Sequence, residues 1–240
     1  MAVPEPQHIK AKKDDVAERV VISGDPARVA QLSGILKHRK LVNENRGFLT
    51  YTGEYGGTKF TVACHGVGAP SAAIVVEELI MLGAKAIVRL GTCGGLLKPM
   101  KVGDLVIATS AGYKGGALDY YFTNKKVTVQ PDAGLTELLV DSAKSEGIRY
   151  YAGPVFSTDA FYTEYSDFVS RSAGRGYAAV EMECATLFGL GMLRGVKTAC
   201  ILVVSDKLSE AQPMTDAEAL GEHVARAGKI VLRSLSRAQT

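Results

Sequence analysis

Five short segments gather the side chains able to do chemistry, and each stands at the end of an apolar run. In Gly24-Asp25-Pro26-Ala27-Arg28 a glycine turn feeds a helix start. Its free N–H groups and partial positive charge suit an anion. Arg28 in the first turn opposes the helix dipole, a misfit relieved by clamping a phosphate. A surface arginine on an ordinary strand–helix turn fits the same residues. In Arg89-Leu90-Gly91-Thr92-Cys93-Gly94-Gly95, Arg89 lies inside an apolar run, where arginine is seldom buried unpaired. The glycines and the Thr92 hydroxyl follow at the strand's C-terminal end, where open α/β sheets place ligands. Either a bound anion or a buried carboxylate of the protein would satisfy that guanidinium. His65-Gly66-Val67-Gly68-Ala69-Pro70-Ser71 is a glycine-rich strand-to-helix turn without the Lys-Ser/Thr of a triphosphate loop. A tight turn needing positive φ has the same appearance.

The remaining two segments carry acids. In Val180-Glu181-Met182-Glu183 paired carboxylates are suited to accept hydrogen bonds from the vicinal hydroxyls of a sugar. The alternative is an acidic helix N-terminus favoured by the dipole. Val204-Ser205-Asp206-Lys207 ends another apolar run, and Asp206 there is placed to act as a general acid, or simply to cap a turn.

The elements that must position these side chains follow from patterning. Runs rich in Val and Ile, with little polar alternation, predict strands buried on both faces at Arg19–Ser23, Lys59–Cys64, Ala86–Leu90, Asp104–Thr109 and Ala199–Val204. Phe48–Glu54, the turn Tyr55-Gly56-Gly57-Thr58 and the run from Lys59 predict a hairpin, so the sheet is expected to be mixed. Asp25-Pro26 signals a helix start, and Leu135, Leu138 and Leu139 mark another helix. Thr215-x-x-Glu218 reads as a capping box, followed by a helical face through Leu220, Val224, Ala227, Val231 and Leu235. The expectation is an α/β fold: one three-layer domain, residues 1–240, with a mixed, twisted central sheet flanked by helices.

Composition narrows the class. Of 240 residues 47% are hydrophobic and 22% charged, the balance of a globular chain rather than a disordered or coiled-coil one. The net charge of +3 is scattered, so no nucleic-acid footprint is expected. The polar stretch Met1 to Asp15 has no apolar signal region and no long uncharged apolar run follows, so neither secretion nor membrane insertion is expected and the cytoplasm is. Cys64, Cys93, Cys184 and Cys200 form no Cys-x-x-Cys pair and have no grouped histidines, so they are expected to be buried free thiols, not metal ligands.

Taken in order, the segments resemble the nucleoside phosphorylase superfamily, with its purine nucleoside, methylthioadenosine and uridine phosphorylases. The likeness runs from His8 to the C-terminal helix. Asn43-Glu44-Asn45-Arg46-Gly47 and Phe156-Ser157-Thr158-Asp159-Ala160-Phe161-Tyr162 join the five segments above. The resemblance implies that Gly24, Arg28, Arg89 and Thr92 hold phosphate, with Arg46 reaching into a neighbouring subunit's site and His8 doing so for the ribose 5′ end. It implies that Met182 and Glu183 take the ribose, that Glu181 and Val67 line the same pocket, that Phe161 stacks on the base beside Ser205, and that Asp206 protonates the purine. It further implies a homo-oligomer, commonly a hexamer built as a trimer of dimers, and no cofactor, inorganic phosphate being a co-substrate.

Ser205-Asp206 resembles the purine branch, and Thr163-Glu164-Tyr165 lacks the Gln and Arg with which the uridine branch grips a pyrimidine. Hydrolytic relatives lack the Gly-Asp-Pro-x-Arg present here. The segments Asn-Glu-Asn-Arg-Gly and Glu-Met-Glu-Cys-Ala look most like archaeal members. One departure is that Thr215 to Gly221 lacks the arginine that assists the aspartate in bacterial purine members, with Ala219 at that position. The expected activity is purine nucleoside phosphorolysis; uridine phosphorolysis, hydrolysis and non-catalytic nucleoside binding are the alternatives.

Overall fold

The computed structural model describes residues 5–122, 127–210, 214–216 and 218–240. Along the chain come β1 (Arg19–Ser23), α1 (Pro26–Ser33), β2 (Lys37–Asn43), β3 (Thr50–Tyr55), β4 (Thr58–Cys64), α2 (Ala69–Met81), β5 (Ala86–Gly95), β6 (Leu105–Tyr113), α3 (Leu118–Tyr121) and α4 (Ala133–Ser145). There follow β7 (Tyr150–Ser157), α5 (Phe168–Gly174), β8 (Ala179–Glu181), α6 (Cys184–Arg194), β9 (Lys197–Lys207) and α7 (Gly221–Arg237). All five apolar runs form strands, and β3 and β4 form the expected antiparallel hairpin.

The sheet runs β2-β3-β4-β1-β5-β8-β7-β6-β9, and β9 also pairs with β5. That extra pairing rolls β5, β8, β7, β6 and β9 into a closed half, while β2, β3, β4 and β1 remain an open wing. The sheet is mixed: β1 is parallel to both β4 and β5, whereas β6 is antiparallel to β9. Side chains alternate between faces along each strand. Val20 and Ile22 of β1 therefore join a core with Val76 and Leu79 of α2 and Phe188 of α6. Val21 joins the opposite core with Leu32 of α1, Leu139 of α4 and Val231 of α7. These two cores are the two outer layers on a central sheet, and they explain why the strands read as unbroken apolar runs.

Two strands escape the apolar pattern. In β2 most residues are exposed, and it adds an edge strand of lysines, a composition that discourages pairing with other chains. Strand β7 carries Gly153 and Pro154, which break any run. The C-terminal helix also starts later than the capping box predicts. It begins at Gly221, and Thr215 instead donates its N–H to the Ser205 carbonyl at 3.0 Å, while Asp216 caps Ala219 at 2.7 Å. The turn is held by β9 rather than by helix geometry. Leu220, Val224, Ala227, Val231 and Leu235 are all buried as the periodicity predicts.

The N-terminal segment is tied down by one carboxylate. Glu78 of α2, buried, accepts the backbone N–H groups of Gln7, His8 and Ile9 at 3.0, 2.9 and 2.6 Å and meets the His8 ring at 2.7 Å. Burial works against its charged form, but these donors outweigh it and hold the carboxyl below its ordinary range. Hydrogen bonds to a charged group contribute about 1.5–3 kcal/mol each. Glu78→Ala should therefore release this segment, with amide exchange at Gln7, His8 and Ile9 accelerating while exchange in β1 and β5 stays slow; unchanged protection at Ile9 would show that its burial alone anchors it.

Candidate active site

The neighbouring C-terminal ends of β4 and β1, and the stretch of β5 from Arg89 onward beside them, bring three of the sequence segments together. Cys64 lies opposite Ser23, and Ile22 opposite Arg89. After β1 the chain turns through Gly24 into α1, whose N-cap Asp25 accepts the Ala27 N–H at 2.8 Å. A Cβ on Gly24 would lie 2.8 Å from the Gly66 carbonyl oxygen, so only glycine lets the two turns approach this closely. Gly66 itself has φ of +69°.

Arg89 is the hub. It is buried, and its guanidinium bonds Glu183 through Nη2 and lies 3.6 Å from Glu181 through Nη1. Gly91, two residues on and so on the same face, must lack a side chain because a Cβ there would collide with that guanidinium. Burial alone would disfavour the arginine's charge; Glu183 and Glu181 overcome this and raise its pKa. Glu183 reciprocates. Burial disfavours its charge, Arg89 outweighs the burial, and the carboxyl falls below its ordinary range. Its other oxygen accepts the Gly68 N–H at 2.7 Å, at the start of α2. The buried-carboxylate reading of Arg89 is thus what the protein displays, and the carboxylate is the one expected to hold a ribose.

Arg28 completes the cationic side. Its Nη1 donates to Thr92 Oγ1 at 3.4 Å, and its Nε lies 3.5 Å from Asp25. Burial lowers its pKa and Arg89's charge lowers it further, against the pull of Asp25. Two arginines whose charges oppose each other, with only one firmly paired, are a place where an anion would be favourable.

The two acids of the Glu-Met-Glu segment divide their work. Glu181 accepts the N–H groups of Glu183 and Cys184 at 2.8 and 2.9 Å, where α6 begins, and the Ser157 hydroxyl. It serves the helix start as well as Arg89, whereas Glu183 bonds Arg89 and the Gly68 N–H. Met182 between them is half-buried. On the next strand Asp206 is buried, and burial raises its pKa against the Ser205 hydroxyl, which donates to it at 2.6 Å. A register shift brings this about: Cys93 faces Val204 and Gly94 faces Asp206, so Ser205 is the extra residue of a bulge. Bulges re-aim side chains beside active sites.

Gly24, Arg28, Arg89, Thr92 and Glu183 are therefore joined, with Val67, 73% exposed, beside the Gly68 that bonds Glu183. Phe161 is 60% exposed on the loop after β7, its ring centroid 5.0 Å from that of Tyr162. His8 and Arg46 stand by the turn that carries Phe48, whose ring reaches the Gly66 turn: a Cβ on Gly66 would lie 3.6 Å from Phe48 Cε1. Asn45 donates to the His8 carbonyl at 2.8 Å, the His8 and Phe48 rings meet edge to face, and Arg46 is exposed with φ of +56°. Among the described residues neither bonds the Arg28–Arg89–Glu183 group within the chain. A cavity of about 200 Å³ opens alongside, lined by Lys114, Phe156, Ser157, Asp159, Phe168 and Arg171 among others. Ser157 links its wall to Glu181. Sequence reasoning gave Ser157 no role, although it lies within the Phe156–Tyr162 segment. The four cysteines are buried and free, and among the described residues no cluster suits a metal ion.

A family model described as the phosphorylase superfamily matches residues 18–237. The guanosine phosphorylase of Halorubrum lacusprofundi is 37% identical over 201 residues, 84% of this chain and 83% of its own length. A DeoD-type purine nucleoside phosphorylase of Yersinia enterocolitica is 36% identical over 220 residues, covering 91% and 90% of the two chains. Among solved structures, the uridine phosphorylase of Vibrio fischeri ES114 bound to 6-hydroxy-1-naphthoic acid superposes with a TM-score of 0.91 at 28% identity, over 98% of this chain and 97% of that one.

Removing one partner of a buried ion pair leaves the other charge uncompensated, at about 3–5 kcal/mol. Arg89→Met should lose stability of that order in urea unfolding, and adding Glu183→Gln should recover much of it. Additive losses in the double variant would show that the two side chains are not energetically paired.

Proposed function

The chain belongs to the phosphorylase superfamily, and from that premise we propose that it is a purine nucleoside phosphorylase, cleaving purine (deoxy)ribonucleosides, 5′-methylthioadenosine among them, with inorganic phosphate. The observation that supports the reading is the placement of Arg89, whose charge bears on Arg28, itself bonded to Thr92, and which bonds Glu183. An oxyanion seated by the arginines and a sugar diol held by Glu183 would then be neighbours.

The chemistry follows from that adjacency. Phosphate held beneath C1′ is both nucleophile and counter-ion as the glycosidic bond breaks and positive charge grows on the sugar. The bonding electron pair leaves with the base, and a proton from Asp206 to purine N7 relieves the charge. Burial of Asp206 supports this role because it favours the protonated form. Thr215, held to Ser205 at 3.0 Å, borders the acid where the last-helix arginine is missing.

By family resemblance His8 and Arg46 are read as groups presented to a neighbouring copy, so the proposal includes a homo-oligomer with shared sites, a hexamer. Four free buried thiols accord with a reducing cytoplasm. Inorganic phosphate is the co-substrate, and the chemistry needs no cofactor.

Purine preference is tested with inosine, guanosine, adenosine, methylthioadenosine and uridine, each with and without phosphate. A purine nucleoside should turn over fastest and only with phosphate; fastest turnover of uridine, or undiminished cleavage without phosphate, would refute it. Asp206→Asn should retain nucleoside binding and slow phosphorolysis at least about tenfold, ~1.4 kcal/mol of barrier. In the native chain, the step needing this proton should weaken as pH rises through the elevated pKa of Asp206. An unaltered rate in the variant would remove Asp206 from the mechanism.

A further inference from the structure

Ser205 and Asp206 adjoin in sequence, and in an unbroken strand their side chains would point to opposite faces. The bulge in β9 changes this, because Cys93 faces Val204, Gly94 faces Asp206, and Ser205 has no residue opposite it on β5. Its hydroxyl turns along its own strand to Asp206 Oδ1 at 2.6 Å, with the Cys93 carbonyl at 3.2 Å as a second acceptor. One hydroxyl proton cannot fully serve both, and the nearer carboxylate oxygen takes it. The backbone on either side is pinned. Gly103 donates its N–H to the Val204 carbonyl and Val204 its own to the Asp104 carbonyl, each at 2.9 Å, while the Ser205 carbonyl accepts Thr215 N–H at 3.0 Å.

The two oxygens of Asp206 are therefore unequal. Oδ1 accepts the serine hydroxyl. Among the described residues Oδ2 accepts no hydrogen bond, yet it is not one of the sealed, unpartnered atoms, so it stays open to the space around it.

We propose that Ser205 is a positioning residue for the proton transfer: by occupying Oδ1 it keeps the transferable proton of Asp206 on Oδ2, the oxygen a departing base can reach. The inference rests on the phosphorolysis reading above and deepens it. A proton on Oδ1 would push the serine hydroxyl back to the Cys93 carbonyl, whereas a proton on Oδ2 leaves the 2.6 Å bond intact. As the glycosidic bond breaks, its electron pair goes to the base, the proton passes from Oδ2 to N7, and the O–H pair stays on Asp206. The serine bond to Oδ1 strengthens as that negative charge grows, so it favours the transition state over the ground state.

The charged and titratable groups around this end of β9 have other partners or stay neutral. Cys93 of β5 is a thiol pushed up by burial, Lys207 pairs with Glu210, Asp104 beside β6 pairs with Arg149, and Asp216 caps Ala219. His223 of α7 rests on Gly103. Burial and the Ser205 hydroxyl are what act on the Asp206 carboxyl, in opposite directions.

Steady-state phosphorolysis of inosine and of 7-methylguanosine is compared in the native chain, Ser205→Ala, Ser205→Val and Ser205→Thr. Ala and Val remove the hydroxyl, and either serves if the other fails to fold; Thr keeps it. 7-Methylguanosine already carries positive charge at N7, so its base leaves without taking a proton. In the Ala and Val variants kcat for inosine should fall about tenfold, part of the ~10²–10⁴ that a positioned general acid contributes, with KM near native. The alkaline limb of the inosine pH profile should move up by about one unit, because the donor that lowers the Asp206 pKa is gone. Turnover of 7-methylguanosine should stay near native, and Thr should restore both rate and limb. A native rate and limb in a folded Ala or Val variant, equal losses for the two substrates, or a Thr variant as slow as Val would overturn the proposal while leaving phosphorolysis by the native chain intact. If the native chain cleaves no purine nucleoside, the functional reading falls and this inference with it.

Discussion

The buried pairing of Arg89 with Glu183 is the interaction on which the arrangement depends. An arginine placed inside a strand core demands a counter-charge, and Glu183 supplies it across from β5. Because the cost of leaving either charge alone is several kcal/mol, the ends of β5 and β8 and the start of α6 must keep a fixed relation. The same fixity sets the relation between the Arg28–Thr92 side of the site and Glu183. Gly91 is part of this constraint, since any side chain there would displace the guanidinium.

Around that pair the fold works by convergence. Parallel strands β4 and β1 end level with each other in glycine turns, beside Arg89 of β5, which runs on to Gly95. The closed half of the sheet then brings β9 against β5, and a one-residue bulge sets Ser205 and Asp206 beside Gly94. Distribution over separate strands has a physical advantage. Rigid hydrogen-bonded strands hold their end residues more precisely than loops do, so catalytic groups keep their geometry without substrate.

Electrostatics give these charged groups distinct states. Arg89's charge opposes that of Arg28, a tension that a phosphate would relieve under the proposed function. Glu183 is held ionised, whereas Asp206 is pushed by burial toward its protonated form. Two carboxyls separated in this way suit different tasks, one accepting hydrogen bonds from a diol and one giving up a proton.

The sequence by itself determined the layered α/β class, because Val- and Ile-rich runs fit only strands covered on both faces, and it located the glycine turns where those strands end. It also marked Arg28, Arg89, Glu183 and Asp206, because charges at the borders of apolar runs are costly without a purpose. It did not reveal β2 or β7, whose lysines, glycine and proline carry no apolar period, nor the later start of α7. Tertiary structure alone decided that Glu183 bonds Arg89 while Glu181, also near it, holds the helix start, and that His65 is buried against the Gly24 turn. Those outcomes depend on strand order, on sheet closure through β5 and β9, and on a bulge in β9. Such features arise from contacts between residues far apart in the chain, and local spacing cannot encode them.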